Sequence, residues 1–189
     1  MADVNYLSYW VETDLQVEGQ VFPAPPLNPK DFSDVLKFSN CNKVEVNHCT
    51  IFGGTENCSD AVRGSQYLWK NSTFIMRQPG KGALTIKGAI AGWTLDGCTF
   101  DGHGNEYDVE LGQFDNYWRP FRRPTRGGSI INCGASDGRP IKVTVWDADM
   151  PVVCNSNVTV RKVPWFVWFP YFCFRAIQIR IQNIIKPKS

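Results

Sequence analysis

One eight-residue pattern is written three times in this chain: apolar, any residue, apolar, two spacers, a small residue, any residue, apolar. It reads Val44-x-Val46-x-x-Cys49-x-Ile51, then Tyr67-x-Trp69-x-x-Ser72-x-Phe74, then Trp93-x-Leu95-x-x-Cys98-x-Phe100. Between the copies a shorter unit recurs as Asp60–Gly64, Leu84–Gly88 and Asp108–Gly112, with closing glycines 24 residues apart each time. A period of this length points to stacked repeats, each burying its apolar face on the next.

The content of the unit selects among repeat architectures. Val44 and Val46 alternate with Lys43, Glu45 and Asn47, and period-2 alternation describes a half-buried strand, not a helix. Helical solenoids are therefore excluded, and the L-x-x-L-x-L-x-x-N spacing of leucine-rich horseshoes is absent. What remains is a coil of two or three strands per turn, each stacking on the next at about 4.8 Å. Alignment on Gly64, Gly88 and Gly112 predicts that these three occupy equivalent corners. It sets Val62 and Ile86 against Glu110, so it also predicts a bulge or register shift in the third coil.

Asn40-Cys41, Asn47, Cys49, Gly53-Gly54, Asn57-Cys58, Asn71-Ser72 and Gly97-Cys98-Thr99-Phe100 carry a resemblance to the right-handed parallel β-helix, the fold of pectate lyases and many bacteriophage tailspikes. The resemblance covers roughly residues 35–165. It implies an all-β, single-stranded solenoid with small polar residues and Cys at the corners and Val, Ile and Phe stacked inside. Fold alone does not fix activity. The V-W-I-D-H and R-x-P-x-x-R stretches of pectate lyases are not matched: Val145-Trp146-Asp147 lacks the Ile and His, and Arg122–Arg126 is one residue short. No lyase residue carries over.

The expected organisation is a cap with a Pro-rich connector over 1–34, the solenoid over 35–165, and a capping or oligomerising segment over 166–189 that is aromatic-rich and forms a strand. Asp31–Leu36 is expected as one helical turn within the cap, and Val35 as the start of the coils. Beyond Gly112 the pattern resumes weakly at Ser129–Cys133 and clearly at Val143-x-Val145-x-x-Ala148-x-Met150 and Val158-x-Val160.

At 189 residues and 43% hydrophobic content the chain encloses one core. Its net charge of +2 gives no reason to expect nucleic acid as a partner. Seven cysteines with no C-x-x-C spacing favour buried free thiols over a disulfide framework or a zinc ribbon, and no cofactor or metal is expected. The N-x-[ST] matches at Asn57, Asn71 and Asn157 read as turn asparagines.

Four groups of residues are candidates for function. Asp60 and Asp108, two coils apart, are the first carboxylate pair to inspect for glycan hydrolysis, against the plainer role of Asp in corner hydrogen bonding. Asp101–Asp108 offers oxygen ligands at a loosely calcium-like spacing without the repeated D-x-[DN]-x-[DN]-G form; His48 and His103 are too few for a His-centred site. An insertion at 113–128 interleaves Tyr117, Trp118 and Phe121 with Arg119, Arg122, Arg123 and Arg126, a composition suited to contacts with acidic groups, sugars or proteins. The fourth group is the terminus. Seven of the ten residues Trp165–Phe174 are aromatic, and Ile177, Ile179 and Ile181 alternate behind them. Trp165, Trp168, Phe169, Phe172 and these three Ile form the expected oligomer interface. The run is too short for a membrane span, which needs about 20 apolar residues.

The resulting expectation is a structural or attachment component of a bacteriophage-like virion (spike, fibre or capsid decoration). It would be made in the host cytoplasm, and its partners would be other virion proteins and copies of itself, as a homotrimer by analogy with β-helical spikes. The alternatives are a carbohydrate-active enzyme on an acidic glycan and a non-catalytic glycan-binding module.

Overall fold

The computed structural model describes residues 7–23, 34–53, 57–76, 82–88, 90–102, 107–112 and 125–170, together with 173, 174, 177 and 181. Its strands, in order, are β1 Leu7–Trp10, β2 Thr13–Glu18, β3 Val21–Phe22, β4 Leu36–Asn47, β5 Thr50–Phe52, β6 Ser59–Lys70, β7 Thr73–Ile75 and β8 Leu84–Lys87. There follow β9 Ala91–Asp96, β10 Thr99–Asp101, β11 Val109–Leu111, β12 Arg126–Ile131, β13 Gly134–Ala135, β14 Ile141–Val145, β15 Val152–Cys154 and β16 Val158–Lys162. They pair in parallel throughout and wind into a β-solenoid of about 4 turns.

Three stacks line the coil. The first runs β1, the front half of β4, the front half of β6, β8, β11, β14, β16; the second runs β2, the back halves of β4 and β6, β9, β12, β15; the third runs β3, β5, β7, β10, β13. Alternation along each strand sends one set of side chains inward. Leu36, Leu84, Val109 and Val143 stack in the first wall, Val17, Val46, Trp69, Leu95 and Ile130 in the second, and Phe22, Ile51, Phe74 and Phe100 in the third, all buried. β-Branched and aromatic residues suit such a pleated, one-sided surface. The Phe74 and Phe100 rings lie 5.2 Å apart and nearly parallel. Residues 7–22, expected as a cap, make the outermost coil and cover that end of the core with strands.

The eight-residue pattern is explained by the corner between the second and third stacks. Gly19, His48, Asn71, Gly97, Asn132 and Asn155 follow one another up this corner, all with positive φ, a conformation that Gly adopts freely and Asn at low cost. In every coil after the first, where Gln20 follows Gly19, the next position is the small residue. The Cys49 amide donates to Ser72 Oγ at 3.1 Å, the Cys98 amide to Cys133 Sγ at 3.4 Å and the Cys133 amide to Ser156 Oγ at 2.9 Å. The strand ladder is broken by the left-handed residue, and a short side chain from the coil above accepts the N–H released there. Cys and Ser are the residues small enough to fit and polar enough to accept.

Three sequence expectations are corrected. Asp60, Thr85 and Glu110 are in register, 25 residues apart each time, not 24. Gly64 pairs with Cys41, continuing the β6–β8 register places Gly88 beside Arg63, and Leu111 pairs with Ile86, so Gly112 falls beside Lys87. The three glycines all have positive φ, but they slide by one position per coil; Val109 and Leu111 then face inward with no bulge. Second, the weak match at Ser129–Cys133 is the true fourth copy, since β12 pairs with β9, whereas Val143 and Val145 belong to the first stack. The fourth copy is disguised because Gly128 replaces its first apolar residue: a Cβ there would lie 1.8 Å from the Trp93 ring.

Third, the described residues of the terminus are helical, where a strand was expected. The last ladder bond runs from the Val163 amide to the Val145 carbonyl; Pro164 then has no N–H with which to continue. Residues 165–170 are helical, as are 173, 174, 177 and 181, with the Val167 and Trp168 amides donating to the Pro164 carbonyl. Proline is well placed at a helix start. The alternation of Ile177 and Ile181 hides a spacing of four, which puts both on one helical face. The expected turn at 31–36 lies outside the described residues up to 33, and Leu36 opens β4.

Candidate functional site

The first stack turns a polar column outward: Lys37, Asp60, Thr85, Glu110, Thr144 and Arg161 are successive register partners. Asp60, although on this outer face, is buried, and its carboxylate lies 3.0 Å from Lys37 Nζ and 3.2 Å from Lys87 Nζ. Burial pushes its pKa up to about 6 against the pull of Lys87 and Lys37, while Asp34 adds to the rise. Against the competing effect of burial, Asp60 and Asp34 together raise the pKa of both lysines.

Asp108 does not share this column. It belongs to the corner two residues ahead of Glu110 and receives both terminal nitrogens of Arg139, at 2.6 and 2.8 Å, and the Lys142 amide at 2.8 Å. Such a two-pronged contact is among the stronger hydrogen-bonded ion pairs. Glu110, in Asp60's own column, accepts the Trp146 indole N–H at 2.7 Å. The two candidate carboxylates thus hold neighbouring coils together through partners 23 to 34 residues away in sequence, and among the described residues no groove brings them face to face.

The other candidates distribute as follows. Asp101 accepts the Ser136 hydroxyl at 2.9 Å, while 103–106, including His103, lie outside the described residues. His48 is a corner residue, with Nδ1 3.1 Å from Glu18. Asn57 is buried and donates to Asp34 at 2.9 Å. Of the insertion, Arg126 opens β12 and is exposed; Tyr117, Trp118, Arg119, Arg122 and Arg123 lie outside the described residues. All seven cysteines are free, five of them buried, with Cys154 exposed and Cys173 between. Among the described residues no three of His, Cys, Asp and Glu converge as metal ligands would, and no helix is long and apolar enough to cross a membrane.

Two concavities lie toward the last coil. A shallow groove of about 710 Å³ runs over the outer face of the second stack, with Leu68, Thr94, Ser129 and Val152 along its floor. A cleft of about 560 Å³ opens where the coil gives way to the helix, lined by Trp146, Asp147, Ala148, Asp149, Lys162, Val163, Pro164, Trp165 and Trp168. Sequence reading missed this cleft because its parts come from the segment after β14, the end of β16, the turn behind it and the helix; the one available signal was the unexplained Trp146-Asp147 pair.

At the same end, among the described residues, β15 pairs only with β12 and β16 only with β14, so each has one edge without a described partner strand. Val152 on β15, Trp165 and Phe166 just after β16, and Phe174 farther along the terminus are all more than 60% exposed. Phe172 and Ile179 of the expected interface lie outside the described side chains; Trp168 and Phe169 are half-buried, and Ile177 and Ile181 are exposed. Compared with protein-family models, with curated proteins and with solved structures, the chain matches none.

Proposed function

We propose that this protein is a structural or attachment component of a larger particle, of the bacteriophage-virion kind that its fold resembles, and that it is joined to copies of itself through the C-terminal end. One observation carries this reading: among the described residues, strand edges without a partner strand and large exposed apolar side chains occur together at that end. An open parallel edge is a template for another chain. Apolar patches beyond a few hundred Å² mark interaction surfaces, and each aromatic here brings about 150–250 Å². The rest of the chain supports a passive role, since the best carboxylates are committed to holding coils together. Three copies are favoured by analogy with β-helical spikes.

The test is sedimentation of the full chain beside a Val152→Lys, Phe166→Ser, Phe174→Ser variant at micromolar concentration. The expected result is an oligomer for the parent and a folded monomer for the variant. A parent chain that is a soluble monomer under these conditions refutes the proposal.

A further inference from the structure

We propose that the cleft at the C-terminal end binds an organic ammonium group, and that its best ligand is a phosphocholine-type zwitterion. Three indoles, two carboxylates and one ammonium converge there: Trp146, Trp165, Trp168, Asp147, Asp149 and Lys162. Trp146 is fixed from behind, because its N–H donates to buried Glu110 at 2.7 Å; what it offers the cleft is therefore ring carbon, not a donor. Trp165 is two-thirds exposed, which a tryptophan at a helix start does not require.

Asp147 is half-buried, and among the described residues no side chain hydrogen-bonds or ion-pairs with its carboxylate. Lys162 lines the same cleft without forming an ion pair with it, and burial raises the Asp147 pKa. Two carboxylates against one lysine leave the site net negative beside electron-rich ring faces. A quaternary ammonium is drawn to both features, and electrostatic attraction to indole faces is how such cations are recognised. A metal ion has no use for three indoles, and a neutral sugar leaves the charge imbalance unanswered. Lys162, the exposed last residue of β16, disfavours a bare cation but matches an anionic group carried a few bonds from the ammonium. At about 560 Å³ the cleft lies within the range of small-molecule sites.

The cleft shares Trp165 with the exposed surface proposed to join copies, so each titration is run on the parent and also on the Val152→Lys, Phe166→Ser, Phe174→Ser variant, in which all six cleft residues remain. Calorimetry and indole proton shifts are measured on the full chain with phosphocholine, choline, the uncharged isostere 3,3-dimethylbutanol and methyl glucoside. Phosphocholine is expected to bind tighter than choline, with no saturation by the other two. Trp165→Ala should weaken both charged ligands by about tenfold, and Asp147→Asn should weaken both as well. Lys162→Gln should erase the preference for phosphocholine while choline binds as well or better. Phosphatidylcholine vesicles, run in parallel, tell a lipid head group from a soluble or polymer-borne one. Equal binding of the isostere and choline, tighter binding of the glucoside, absence of saturable binding, or a phosphocholine preference that survives Lys162→Gln would each overturn the proposal.

Discussion

Replacing Ser72 tests the corner rule directly. Its buried Oγ receives the Cys49 amide at 3.1 Å and lies 2.8 Å from the Lys70 carbonyl and 3.3 Å from that of Val46. Ser72→Ala removes the acceptor and leaves the Cys49 N–H unpaired in the core, away from water. A buried unsatisfied donor costs about 1–3 kcal/mol; a loss of about 2 kcal/mol is expected. For a chain of this size that corresponds to a fall in Tm of about 4–8 °C. Ser72→Cys should recover most of the loss, because Cys133 already accepts the Cys98 amide from the equivalent position. Urea unfolding followed by circular dichroism measures both, with the slope against denaturant expected to hold. The reasoning fails if Ser72→Ala costs less than about 0.5 kcal/mol, the range of an ordinary surface change, or if Ser72→Cys is as damaging as Ser72→Ala.

Two further outcomes follow from buried groups. With Asp60 raised to about 6, the folded chain holds a proton between about pH 4 and 6 that the unfolded chain, titrating near 3.9, has released. Stability contributed by this group is therefore greatest below pH 4 and falls as pH rises through 6; Asp60→Asn should remove that slope in urea titrations at stepped pH, and an unchanged slope counts against the assignment. In native protein a thiol reagent should modify exposed Cys154 first and Cys173 more slowly, with the five buried thiols reacting only on unfolding; rapid modification of more than two contradicts the burial pattern.

The stacking was legible because it rests on local chemistry repeated in place: Val44, Tyr67 and Trp93 do lie in one column, as the pattern said. Register between coils was not, since the glycines drift along the corner by one position per coil and do not stand as fixed posts. Gly128 hid the fourth copy, because the reason for a glycine there is the Trp93 ring on the neighbouring coil. Ile177 and Ile181 misled because spacings of two and of four coincide in a short run. The pairing of Asp108 with Arg139 was invisible for a different reason: sequence shows that a charge exists, and only the winding shows which charge lies beneath it.

Among the described residues each coil's strands pair only with those of the coils immediately before and after it. Order in such a column is lost from its ends inward, as in a fraying rope, and the amides of β6, held between β4 on one side and β8 and β9 on the other, are the last to exchange with solvent. Damage at one end therefore stays there. A molecule of this kind can lose its terminal turn, to a protease or to thermal motion, while the opposite end goes on holding whatever it holds.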